Sequence, residues 1–267
     1  MKIHHLNLCT MCPYAVFGTG EMVVHVLVVE TKDGLVLVDT GMGIEDVRSP
    51  VERLGRAFML ATRPKLREED TALRQIERLG FERSDVRHLV LTHLDVDHAG
   101  GIPDFPDAQI HVYRSEHAAA MAPATRNERS RYRKVHFASN PKWELHEAGG
   151  DRWFDFESVQ AVADDVLMIP LPGHTRGHCA IAVRTPAGSS TEWLLHCGDG
   201  YFFHGELEEP PQCPLSLRIF QRGVAVDDDL RVANAARLRA LHRDSGTKVR
   251  LFSAHSPREY ERAIAPA

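Results

Sequence analysis

Between Thr92 and His98 the chain reads Thr-His-Leu-Asp-Val-Asp-His, which places His93, Asp95, Asp97 and His98 within six residues. Imidazole nitrogens and carboxylate oxygens are the donors that divalent zinc, iron and manganese accept. In extended backbone alternate side chains share a face, so His93, Asp95 and Asp97 can converge, and a turn at Asp97 would swing His98 beside them. Ala99-Gly100-Gly101 supplies the backbone freedom for that turn. Taken alone, the run could also be a solvated acidic loop. Three later segments weigh against that. His174 stands in Pro-Gly-His-Thr-Arg-Gly-His, Asp199 in His-Cys-Gly-Asp-Gly, and His255 closes Leu-Phe-Ser-Ala-His, each just after an apolar run. Strand ends that deliver ligands to a shared cleft are the usual way in which a rigid scaffold carries chemistry on its loops.

The elements that must position these residues can be read from pattern. Val23 to Glu30 and Leu35 to Asp39 are apolar, β-branched runs joined by Thr-Lys-Asp-Gly, a hairpin signal. Strands are expected at Arg87 to Thr92, Gln109 to Tyr113, Val166 to Leu171, Cys179 to Arg184, Trp193 to Cys197 and Lys248 to Phe252. Helices are expected at Arg67 to Leu79, with acids in the first turn and Gly80 after the last, at Ser115 to Met121, and at Asp227 to Asp244. The stretches 44–66 and 122–150 lack sustained periodicity and read as lid or surface insertions. Two runs of sheet, each followed by helix, predict a single α+β domain over residues 1–267 with two packed sheets and helices outside.

Composition excludes several classes. With 43% hydrophobic and 26% charged residues and a net charge of -5, the 267-residue chain has a globular composition and no basic surplus for nucleic acid. The apolar stretch Met22 to Val29, broken by His25, is far shorter than a bilayer span of about 20 residues. Met1 to Asn7 carries no secretory pattern, and five scattered cysteines do not suggest a disulfide framework, so a cytoplasmic protein with reduced thiols is expected.

The motifs together resemble the metallo-β-lactamase superfamily, whose signature is His-x-His-x-Asp-His followed by a Gly-His motif, an Asp and a final His. The resemblance spans nearly the whole chain. It implies a four-layer αββα sandwich and two divalent metal ions, with His93, Asp95 and His174 at the first, Asp97, His98 and His255 at the second, and Asp199 between them. The order of elements is most similar to the quorum-sensing lactonase branch, through Asp39-Thr40-Gly41-Met42, Glu68-Glu69-Asp70 and a tyrosine beyond the bridging Asp. In that branch the tyrosine lies three residues after the Asp; here Tyr201 lies two after, and Phe202 takes the third place.

The resemblance implies a metal-dependent hydrolase acting on a small-molecule lactone or related carboxylic ester. Asp97 serves as ligand and proton shuttle, and Tyr201 as hydrogen-bond donor to the oxyanion. Asp95 is the departure, since most members have histidine there. An extra carboxylate lowers the positive charge of the site, so iron or manganese is admitted beside zinc. The superfamily's diiron flavoproteins also have a carboxylate at this place, which makes a redox protein the alternative from another class. Thioesters and phosphodiesters are the alternative substrates.

Other candidates carry weaker expectations. Cys9 and Cys12 form a lone CxxC, read as structural or as substrate wall. His178 is placed behind a metal ligand or in a turn, and His204 and Glu206 along the cleft. The Arg-rich run from Arg126 to Lys134 either faces an anionic substrate or is a solvated face. His4, His5, His111, His117, His136, His146 and His242 show no partner pattern in the sequence.

Overall fold

The computed structural model describes residues 1–265 except 14–19, 140, 158–161 and 163–164. Strands β1 (Ile3–Met11), β2 (Met22–Thr31), β3 (Gly34–Val38), β4 (Pro64–Lys65), β5 (Val86–Val90), β6 (Gln109–Tyr113) and β7 (Lys142–His146) form one sheet, ordered β4-β1-β2-β3-β5-β6-β7. A small ribbon of β8 (Arg152–Trp153) and β9 (Phe156–Glu157) follows. The second sheet is β10 (Val166–Pro170), β11 (Cys179–Arg184), β12 (Trp193–His196) and β13 (Val249–Phe252), in that order. The helices are α1 (Ile44–Arg48), α2 (Pro50–Arg53), α3 (Arg56–Thr62), α4 (Ala72–Arg78), α5 (Val96–Ala99), α6 (Arg114–Met121), α7 (Arg126–Arg131), α8 (Leu215–Val224), α9 (Asp228–Ser245) and α10 (Pro257–Ile264).

Strand alternation builds the layers. On β2, Val24, Val26 and Val28 join Leu73 and Ile76 of α4 in an outer core, while Leu27 and Val29 turn the other way. There they meet Val36, Val38 and Val90 of the same sheet and Met168, Ile181, Val183 and Phe252 of the second. The second sheet's far face, with Ala180, Leu195 and Leu251, is covered by Leu238 and Leu241 of α9. Burial on both faces explains why these strands read as near-continuous apolar runs. The result is the expected α+β sandwich of two sheets between helices.

Hairpin β2–β3 closes where expected, with Thr31 opposite Gly34. Gly34 has a φ of 128°, and a Cβ there would lie 2.7 Å from the Asp85 carbonyl oxygen, so glycine is required on both counts. Beyond β3 the neighbours β5, β6 and β7 run parallel, and β12–β13 is a parallel pair with α9 in its connection.

Several expectations change. Stretch 44–66 contains α1, α2, α3 and β4, the last paired with β1, and 122–150 contains α7, a 3-10 turn at Lys134–Phe137 and β7. The helix expected from Arg67 is a 3-10 turn at Glu68–Asp70 and then α4, divided at Thr71, whose ψ of 153° is extended. Glu68 instead pairs with Arg48 and Arg74. Strand β1 and helices α8 and α10 were not anticipated.

Candidate metal centre

The ends of β5, β10, β12 and β13 lead to the predicted residues. Asp95 is the extended residue that opens α5, and one helical turn carries Asp97 and His98. A helix start, not continued strand, therefore brings the second half of the motif inward. The Asp199 carboxylate stands at the middle. Its Oδ1 lies 3.2 Å from His98 Nε2 and 3.1 Å from His255 Nε2, while its Oδ2 lies 3.2 Å from His174 Nε2 and 3.8 Å from His93 Nε2. Asp95 Oδ2 is 3.0 Å from His174 Nε2 and 3.4 Å from His93 Nε2. Asp97 Oδ2 is 3.7 Å from His255 Nε2. Donor atoms of His93, Asp95, His174 and Asp199 lie within 4.8 Å of one another, as do those of Asp97, His98 and His255.

The rings are aimed by what holds their other nitrogens. His98 Nδ1 donates to Asp39 Oδ2 at 2.7 Å, and His255 Nδ1 donates to the Val23 carbonyl at 2.9 Å. Both partners only accept, so in the neutral ring, the form that ligates a metal, each Nε2 turns its lone pair toward the centre. Asp39 also accepts from the Thr92 amide and hydroxyl, at 2.7 and 2.8 Å, which ties β3 to the start of the motif. His178 Nδ1 donates to the Leu171 carbonyl, and its Nε2 accepts the Asp199 amide at 2.9 Å. Both of its nitrogens are used, so His178 positions Asp199. Gly198 before it has a φ of 51°, and a Cβ there would meet His178 Nε2 at 2.6 Å.

Whether these residues suit a pair of cations can be judged from what they lack. His93 Nε2, His98 Nε2 and Asp199 Oδ1 are buried with no hydrogen-bond partner among the described residues. An unsatisfied buried polar atom costs about 1–3 kcal/mol, more if charged. Converging lone pairs of this kind are relieved by cations, and the donor set fits two divalent ions with Asp199 between them.

Electrostatics adds a residue. Burial would push the Asp95 carboxyl up, but the Arg131 guanidinium and then His93 hold it well below the ordinary carboxylate range. Arg131 Nε is 3.5 Å from Asp95 Oδ1, its Nη1 donates to the His174 carbonyl at 3.0 Å, and its Nη2 donates to the Val224 carbonyl. The Arg126 to Lys134 run is thus more than a solvated face. Glu116, fully buried, accepts from the amides of Leu94 and Gly177 and from the Tyr132 hydroxyl, each at 3.0 Å, and so joins the motif loop to the His174 loop. Asp39, Arg131 and Glu116 were missed as site residues. The sequence signal was faint: an Asp closing a strand, one Arg among several, and an acid on a short helix.

Tyr201 is a correction. It is fully buried in the second sheet's outer core, and its hydroxyl donates to Glu259 Oε1 at 2.9 Å. Phe202 turns inward instead, packing on His255 with ring centroids 4.9 Å apart. The oxyanion role expected of Tyr201 is therefore withdrawn. Glu206 accepts from the amides of Phe202 and Phe203 and does not line the pocket, whereas His204 does. Cys9 is buried and Cys12 half-buried, both as free thiols, and burial pushes the Cys9 thiol up to about 12.

The metallo-β-lactamase superfamily model matches residues 19–189, and the chain belongs to that superfamily. It is a metallo-hydrolase with lactonase-like relatives. A probable metallo-hydrolase of Mycobacterium tuberculosis is 41% identical over 98% of this chain and 83% of its own. An N-acyl homoserine lactonase of Bacillus thuringiensis is 30% identical over 60% of this chain and 58% of its own. Among solved structures, an N-acyl homoserine lactone hydrolase with the product N-hexanoyl-L-homoserine at its catalytic metal centre superposes with a TM-score of 0.73. That likeness covers 99% of this chain and 96% of the other at 22% identity, and it concerns the fold. No helix among the described residues is long and apolar enough to cross a membrane.

Proposed function

We propose that this protein hydrolyses a small-molecule lactone or related carboxylic ester at a dinuclear centre held by His93, Asp95, Asp97, His98, His174, Asp199 and His255. The observation that carries the reading is the Asp199 carboxylate, whose two oxygens face two separate groups of donors. When bound, the two ions supply Lewis acidity, acidifying water and polarising a carbonyl oxygen. Asp97 Oδ2, beside His255, takes the proton from the attacking water and passes it to the leaving alkoxide.

Substrate class is argued from the adjoining space. A cavity of about 480 Å³ reaches His255, with Met22, Phe202, Phe203 and Leu217 as apolar wall and Glu21, Arg258 and Glu261 as polar groups. An acyl chain suits the wall, and an amide or hydroxyl suits the polar groups. Zinc is the first choice of metal, and Asp95 admits iron or manganese. Arg131 tempers that shift, because its charge offsets the added carboxylate without removing Asp95 as a donor.

A panel of lactones, thioesters and phosphodiesters, run on protein of known metal content, tests the reading. Lactone turnover is expected, and Asp199→Ala should lower it on the order of a thousandfold while halving bound metal or worse. Phosphodiester turnover without lactone turnover would move the substrate class. Oxygen uptake with a reductase, and no hydrolysis, would move the protein to redox chemistry.

A further inference from the structure

On β5, β6 and β7 the face opposite the outer core carries three histidines and a glutamate beside the apolar Val90 and Tyr113. Leu89, Ile110, Val112, Trp143 and Leu145 pack toward the outer core. By strand alternation His88, His111, Glu144 and His146 point the other way, as Val90 does on β5. His88 Nδ1 and His111 Nε2 are 2.9 Å apart, and His111 Nδ1 and His146 Nε2 are also 2.9 Å apart. Glu144, two residues before His146, is the registered partner of His111, and Gln109 donates to its Oε2 at 2.5 Å. One donor atom each from His111, Glu144 and His146 lies within 4.8 Å of the others.

We propose that His111 Nδ1, His146 Nε2 and the Glu144 carboxylate form a third divalent-metal site, separate from the dinuclear centre, for a borderline ion such as zinc, nickel or copper. Two imidazoles and a carboxylate are the donor set such ions prefer. The ion takes the place of the proton between the two rings, and slight side-chain rotation brings the donors to the roughly 3.4 Å spacing of a tetrahedral ligand pair. His111 then carries its proton on Nε2 and donates to His88 Nδ1, so a ring on the next strand fixes the tautomer that ligation requires. Burial holds the His111 imidazole down at about 3, and His88 and His146 add to this, so the ligand is already in its neutral form at ordinary pH. Glu144 is exposed and His146 half-buried, which leaves an entry path and open coordination positions. The bound ion clamps β6 to the edge strand β7. The proposed ligands lie on β6 and β7 and share no residue with the dinuclear centre.

The test is titration of chelator-treated full-length protein with nickel, read by elemental analysis after desalting and by thermal melting. Wild type should bind one equivalent more than either Glu144→Gln or His146→Gln, and its melting temperature alone should rise with that last equivalent. Hydrolytic activity of the reloaded variants should match wild type. Because the reading is the difference of one equivalent, it does not depend on how many ions the dinuclear centre takes. Glu144→Gln changes an exposed residue, so it serves even if His146→Gln folds poorly. Equal stoichiometry in wild type and Glu144→Gln would overturn the site.

Discussion

Two of the histidine and carboxylate clusters among the described residues hold their rings in opposite ways. At the strand ends, His98 and His255 each give Nδ1 to an acceptor outside the cluster, Asp39 and the Val23 carbonyl, and turn Nε2 toward Asp199. Along β5, β6 and β7, His88, His111 and His146 bond to one another. The first arrangement is fixed from behind and unsatisfied in front. The second satisfies itself and must give up an internal hydrogen bond to take an ion. Preorganisation therefore comes from the partners behind the ligands as much as from the ligands.

The largest difference should appear in acid. His111 sits near 3 through burial first and its neighbouring rings second, against an ordinary value of 6.5. Between those values the unfolded chain binds a proton that the folded chain refuses, so stability is intact above about pH 6.5 and falls as pH drops toward 3. From pH 7 to pH 4 this one ring accounts for roughly 3 kcal/mol, at about 1.4 kcal/mol per unit. Urea midpoints of chelator-treated wild type and His111→Gln at both pH values measure it. The variant should lose less stability on acidification by about that amount, and parallel losses would mean that the row is already protonated or open.

Asp39→Asn probes the other arrangement. An asparagine keeps the Thr92 amide bond through its oxygen but presents N–H to His98 Nδ1, where the aspartate accepts. His98 must then carry its proton on Nε2, the nitrogen that faces Asp199. Metal affinity at the dinuclear centre should fall about 10–100-fold. A competition titration with a chromophoric chelator reads this directly, and unchanged affinity would show that the ring is aimed by something else.

This contrast marks what the sequence could convey. His93, Asp95, Asp97, His98, His174, Asp199 and His255 are named by residue type and by their place at the ends of apolar runs, and the structure brings them together. The strands that are buried on both faces are legible for the same reason: their apolar runs need no partner to be recognised. Strand β1 is not, because its Leu6 and Leu8 alternate with histidines and polar residues that find meaning only against β2 and β4. β7 hides in an insertion whose Arg and Gly content reads as loop. Arg131 and Glu116 act through contacts across 36 to 61 positions of chain, to Asp95 and Gly177, and no local pattern encodes such a pairing.

Tyr201 gives the smallest expected effect. Sequence placed it two residues beyond the central carboxylate; the fold turns it behind the centre and sends Phe202 forward. Its hydroxyl is one of the groups that satisfy Glu259, whose carboxyl burial raises to about 7, and Ser253 donates its amide to the other oxygen. Tyr201→Phe removes a single hydrogen bond to a partly ionised carboxyl and keeps the ring in place, so stability should drop by about 1–2 kcal/mol. Because its hydroxyl is spent on Glu259 within the second sheet's outer core, kcat should stay within about twofold of wild type. A hundredfold loss of kcat at unchanged stability and metal content would return Tyr201 to the reaction, and with it the tyrosine role of the lactonase branch.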